Sequence, residues 1–267
     1  MFKRLLTVLG TAGAAGILGV SLLASASAAG NVVVVTPNNT QGWTTQDTNA
    51  GGQVNYITDT SADAPYPPGA LQLLTDATTT AKAQYFHATS TALSDVNELS
   101  YYTKQVSATF PQADPSYQLA VQLNGTSGFS TLVFEPYQGG EGAVIPGAWQ
   151  SWNVASGLFW STHTVTCSNG TVAGTPGGPA TYTLSALQTL CPSAVVIGFG
   201  VNIGSNNPSW NVETDGVDFN GTTYDFQTSN PPASKEQCKH GGYQNLTDGN
   251  GQPFKNQGQC IKYFNHH

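Results

Sequence analysis

The hydrophobic positions of this chain recur mostly with a period of two. In 117–123, Tyr117, Leu119, Val121 and Leu123 alternate with Gln118, Ala120 and Gln122, the signature of a strand with one buried face. In 98–104, Leu99, Tyr101 and Thr103 fall on one side and Ser100, Tyr102 and Lys104 on the other. Short alternating runs at 32–36, 53–58, 70–75, 83–87, 129–135, 149–154 and 194–203 are separated by Gly, Pro, Asn and Asp clusters and predict further strands. Asn124-Gly125, Asn169-Gly170 and Asn220-Gly221 are tight-turn signals, because Asn and Gly tolerate the positive φ of hairpin turns. The last of these predicts a closing hairpin between Val217/Phe219 and Tyr224/Phe226. One short helix is expected at 183–190, with Thr183 as N-cap, a Leu184/Leu187/Leu190 stripe, and Pro192 to stop it. Many short strands with one helical turn predict an all-β, antiparallel β-sandwich of the jelly-roll kind.

The ends of the chain depart from this pattern. Residues 1–28 combine Lys3 and Arg4, an apolar run rich in Gly and Ala, and the small-x-small sites Ala24-Ser-Ala26 and Ala26-Ser-Ala28. That pattern predicts a secretory signal peptide, hence a secreted, extracellular product with no membrane span after cleavage. The sandwich is expected over 29–228, a Pro-containing linker over 229–234, and a small disulfide-stapled module over 235–267. All four cysteines lie in the exported part, where disulfides persist. Cys167–Cys191 and Cys238–Cys260 is the favoured pairing, because each pair brackets its own local segment. None of the four has Cys-x-x-Cys or Cys/His zinc spacing.

Charge narrows the partner. Without the leader the chain carries six basic against fifteen acidic residues. Between residues 31 and 230 the only cations are Lys82 and Lys104. Such a stretch has no basic stripe for a phosphate backbone, which excludes nucleic acid as a partner. Aromatic and amide side chains point instead toward sugars, whose C–H faces lie on aromatic rings while amides and carboxylates take the hydroxyls. In 149–154, Trp152 and Val154 share one parity; Trp149 takes the other, with Ser151 and Asn153. Trp149 is therefore expected outward, and Tyr102, Gln118, Gln122 and Glu135 are expected to line the same sheet face. Trp43, Trp160 and Trp210 complete the candidate binding aromatics, since not all five tryptophans can be fully buried.

Two carboxylates across a glycosidic bond make a hydrolase, and Glu213-Thr-Asp215-Gly-Val-Asp218 places three acids close together. The spacing resembles the Glu-x-Asp-x-x-Glu signature of laminarinase-like sandwich glycosidases, with Asp in the third acidic position and a Gly216 that favours a bulge. Asp at strand ends also suits turn capping or a structural calcium ion. The chain contains no Gly-x-Ser-x-Gly elbow, phosphate loop or His-Glu-x-x-His run, and no cofactor is expected.

Three stretches carry a family resemblance: Leu99–Lys104 with Tyr117–Leu123, Trp149-Gln-Ser-Trp152, and Asp215–Gly221 with Tyr224-Asp-Phe226. They are similar to secreted bacterial jelly-roll domains of the carbohydrate-binding, concanavalin-like or galactose-binding-like kind, including a group of secreted proteins of actinobacteria and similar soil bacteria. The tail resembles short Cys-pair modules at the ends of other bacterial secreted proteins. The resemblance implies a non-catalytic module that binds an extracellular polysaccharide or cell-wall glycan. The alternatives are a glycoside hydrolase or lyase acting through Glu213, Asp215 and Asp218, and a structural or adhesive surface protein.

Overall fold

The computed structural model describes residues 30–267; the predicted leader lies outside the described residues. The strands are β1 (Asn31–Val35), β2 (Trp43–Thr44), β3 (Gly52–Thr58), β4 (Gly69–Thr75), β5 (Ala83–Ala92), β6 (Leu99–Ser107), β7 (Ser116–Gln122) and β8 (Phe129–Phe134). They continue as β9 (Gln150–Asn153), β10 (Leu158–Ser161), β11 (Val165–Cys167), β12 (Gly170–Val172), β13 (Tyr182–Thr183), β14 (Val195–Ile203), β15 (Asn211–Phe219) and β16 (Thr222–Phe226). Helix α1 covers Leu184–Leu190 and α2 covers Gln257–Phe264.

Two seven-stranded sheets form the sandwich. In the first, β15 is central: β4 and β16 share one of its edges and β6 takes the other, with β3, β1 and β9 outermost. The second runs β13-β10-β8-β7-β14-β5-β2. Pairing is antiparallel as expected, with the exception of β1, which runs parallel to β16 from Asn31↔Thr222 to Val35↔Phe226. The closing hairpin forms as the turn residues dictate, with Asn220 and Gly221 both at positive φ and Val217 opposite Tyr224.

The alternation read from the chain is the alternation of burial. Leu99, Tyr101 and Thr103 from the first sheet meet Tyr117, Leu119 and Val121 from the second in one core. Trp152 and Val154 point into it, and the indole N–H of Trp152 is satisfied by the Thr103 hydroxyl at 2.7 Å. Trp43 departs from its expected place on a binding surface. It is 2% exposed, enclosed by Tyr85, Phe199, Tyr224 and Phe226 with ring centroids 5.1–5.5 Å away. Its strand spans only two residues, too few for alternation to show which side faces in.

Helix α1 begins where its cap predicts, with the Thr183 hydroxyl accepting from the Ala186 N–H at 3.2 Å. Cys191 follows it directly and is bonded to Cys167, and Cys238 to Cys260, the favoured pairing in both cases. The C-terminal segment has its own small core of Cys238, Leu246, Phe254 and Cys260, and α2 there was not foreseen from the chain. Asn230 joins the two parts: its N–H donates to Thr247 Oγ1 (2.6 Å) and its carbonyl accepts from the Thr247 N–H (2.8 Å). No described helix is long and apolar enough to cross a membrane.

Candidate functional site

Strand register decides which outward side chains stand together, and it divides the predicted group in two. Tyr102 and Trp149 lie on the outer surface of the first sheet. Gln118, Gln122 and Glu135 lie on the outer surface of the second, on the other side of the sandwich, because β7 and β8 pair with β14 and β10 while β6 pairs with β15 and β9. The expectation of one shared face is corrected by this pairing.

On the first sheet, Trp149 is half-buried in an ion network. Its indole N–H donates to Asp59 Oδ2 at 2.8 Å, and the Lys104 ammonium sits 5.7 Å from its ring centroid. That ammonium lies 3.1 Å from Asp59 Oδ2 and 3.0 Å from Glu213 Oε2, its direct cross-strand neighbour. Burial pushes Asp59 up, but donors from Ser61, Trp149 and Lys104 outweigh it and hold the carboxyl well below the usual range. Glu213 goes the other way: burial raises it, against the pull of Lys104.

The acidic triplet does not assemble as a catalytic set. Gly216 adopts φ +54° and the register slips between Asp215 and Asp218, a bulge that separates the third acid from the first two. Asp215 is 0% exposed; Oδ1 accepts the N–H groups of Gly216 (2.8 Å) and Phe226 (2.9 Å). The rings of Tyr66 and Tyr102 pack over neighbouring Gly216, and burial raises the Asp215 carboxyl well above its ordinary value. Asp218 caps the hairpin, accepting from the Gly221 N–H (3.1 Å) and Thr223 hydroxyl (3.0 Å). Glu213 is committed to Lys104. Among the described residues no three His, Cys, Asp or Glu side chains converge as a metal site.

The second sheet carries a groove. Across its outer surface one rung of paired residues runs Trp160–Val133–Gln118–Gly200–Phe86–Thr44, through β10, β8, β7, β14, β5 and β2. Four strand spacings separate Trp160 from Phe86, about 19 Å. Trp160 is half-buried, its ring held by an indole N–H donated to Glu135 Oε2 at 2.7 Å. Beside it is a cavity of about 440 Å³, lined among others by Gln118, Glu135, Tyr137, Asn202 and Asp114. A second hollow of about 270 Å³ on the same surface lies around Phe86, Ala120, Thr131 and Gly198. Gly200 is glycine for a packing reason: a Cβ there would come 2.1 Å from the Tyr85 carbonyl oxygen and 2.6 Å from Phe86 Cδ2. The strip of outer surface along Gly198 and Gly200 is thus covered in part by the Phe86 ring.

Not every predicted residue reaches this groove. Gln122 is at the far end of β7, opposite Phe129 and Val195. Trp210 is 3% exposed with its N–H on Thr109 Oγ1 (3.1 Å); it closes one end of the larger cavity but offers no ring face, correcting its place among exposed aromatics. Phe86, Asn202, Tyr137 and Asp114 were not singled out from the chain. The parity of 83–87 carried a signal for Phe86 and that of 194–203 one for Asn202; nothing local marked the other two.

No protein-family model matches the chain, and no curated protein is significantly similar to it. Among solved structures it is similar to the family 11 carbohydrate-binding module of the cellulosomal cellulase Lic26A-Cel5E of Clostridium thermocellum. That match has 12% identity and a TM-score of 0.40, covering 67% of this chain and 88% of that one. A family 11 module from the same organism, in complex with a β-1,3-1,4-mixed-linked tetrasaccharide, gives 13%, 0.40, 68% and 89%. The CBM22-1 xylan-binding domain from Paenibacillus barcinonensis Xyn10C gives 14%, 0.28, 69% and 85%. At these identities and scores the likeness carries no argument about ligand, and the site rests on its own geometry.

Proposed function

We propose that this chain is an exported, non-catalytic module that binds an extracellular polysaccharide or cell-wall glycan in the groove of the second sheet. One observation carries the reading: the half-buried Trp160 ring, pinned by Glu135, stands at the edge of a cavity whose lining mixes apolar side chains with amide, hydroxyl and carboxyl groups. An aromatic face beside planar hydrogen-bonding groups suits a pyranose, which has an apolar C–H face and a polar rim. Gln118 and Asn202 line this cavity and are candidate partners for hydroxyls, and Tyr137 extends the aromatic surface toward the exposed Phe110, 5.5 Å away between ring centroids. Two disulfides fit an oxidising compartment. The predicted leader would supply the export, and the stapled tail, with its own small core, reads as a separate module.

The test is retention of the mature protein on insoluble cellulose, mixed-linked β-glucan, xylan, chitin and peptidoglycan, with reducing ends measured in the same tubes. Retention without release is expected. Trp160→Ala should weaken it on the order of tenfold or more while leaving the fold intact, because this ring is outside the core. Trp149→Ala should leave retention unchanged. The opposite pattern would move the site to the first sheet, and release of reducing ends would overturn the non-catalytic reading.

A further inference from the structure

One wall of the groove is a buried carboxyl. Asp114, in the segment between β6 and β7, lines the larger cavity and is 3% exposed. Its Oδ2 accepts from the Thr103 hydroxyl, whose oxygen in turn accepts from the Trp152 indole. Its Oδ1 has no donor among the described residues. A carboxylate buried with one oxygen unmatched is costly. The surroundings offer no positive charge. Titratable groups near Asp114 are Tyr101 on β6, Glu135 after β8 and Tyr137 in the loop beyond, and no Lys, Arg or His lines the cavity.

We propose that Asp114, together with Glu135, reads ligand charge in this groove: it admits uncharged glycans and excludes chains that carry carboxylates. The inference rests on the groove being the glycan site. Burial, opposed by the Thr103 hydroxyl, pushes Asp114 up to about 7. Ionisation adds a negative charge to the wall of the cavity, so exclusion of uronates sharpens as pH passes upward through that value. Asp114→Asn preserves shape, since the amide oxygen can still accept from Thr103 while the NH₂ occupies the Oδ1 position.

The experiment is calorimetric titration of the mature chain with cello-, mixed-linked gluco- and xylo-oligosaccharides and with oligogalacturonate, at low salt. Titrations are run at about pH 5.5 and about pH 8, on either side of the Asp114 transition. Wild type should bind an uncharged oligosaccharide at least about tenfold tighter than oligogalacturonate at the higher pH. That ratio should narrow at the lower pH, and in Asp114→Asn it should be smaller than wild type at the higher pH and the same at both. An equal, pH-independent ratio in the two proteins, or wild type that prefers oligogalacturonate, overturns the inference. If Trp160→Ala abolishes binding while Asp114→Asn changes nothing, the groove reading stands and this inference falls. If wild type binds none of the uncharged chains, both fall.

Discussion

Asp114 also makes a prediction about stability that needs no ligand. Its carboxyl is held between an ordinary 3.8 in the unfolded chain and about 7 in the folded one, because burial removes water that the Thr103 hydroxyl only partly replaces. Between those values the unfolded chain holds fewer protons than the folded chain, so stability is full below about pH 4, falls as pH rises toward 7, and is flat above. The whole interval is worth about 4 kcal/mol, more than half of it between about pH 5 and about pH 8. Asp114→Asn cannot ionise and loses this slope while keeping an acceptor for Thr103. Asp215, Asp225 and Glu213 are also raised by burial and tilt the wild-type curve the same way, but they are present in both proteins and cancel in the comparison. The measurement is thermal unfolding of both proteins across that range. The midpoint of the variant, relative to wild type, should climb by about 5–10 °C from the acidic to the alkaline end for a domain of this size. Parallel curves would refute the reasoning, as would a variant that loses ground at alkaline pH.

Other perturbations follow from particular contacts. Lys104→Met leaves Glu213 without its cation while Asp59 keeps Ser61 and Trp149 as donors, so unfolding should show a loss of about 2 kcal/mol at alkaline pH that shrinks as the solution is acidified, because burial already raises the Glu213 carboxyl. Gly200→Ala drives a Cβ against the Tyr85 carbonyl, and denaturant titration should show a loss of about 1–3 kcal/mol. Replacing Cys167 and Cys191 by Ser should cost the sandwich about 3 kcal/mol, read as a lower unfolding midpoint. The same change at Cys238 and Cys260 should expose the tail to proteolysis while the sandwich midpoint stays put.

What could be read along the chain was whatever depends on neighbours. Alternation in 117–123 and 98–104 identified the buried faces of β7 and β6, because a pleated strand sends successive side chains to opposite sides. Asn220-Gly221 marked its hairpin, Thr183 its helix cap, and the two disulfides were legible because each spans one short local excursion. The stretches that failed were brief or mixed. β2 and β13 have two residues each, β10 to β12 only three or four, and α2 sits in a tail where two cysteines and several amides obscure the helical period.

The candidate site needed something more. Parity established that Gln118, Trp149 and Tyr102 point outward, but a strand's alternation is blind to which sheet it joins, and that choice is made by hydrogen bonds to strands up to about a hundred residues away. Register then brought Trp160 level with Gln118 and Phe86, separated Trp149 from both, and slipped at Gly216 so that the three acids of β15 took three unrelated jobs. Burial of Trp43, Trp210 and Asp114 was decided the same way, by packing between distant segments. The sequence by itself determined the longer strands, their inner faces and the staples, since those are local chemistry. The tertiary structure alone decided which outer surface became a groove and left a carboxyl oxygen unmatched in its wall, because neighbours across a sheet are assigned by long-range pairing.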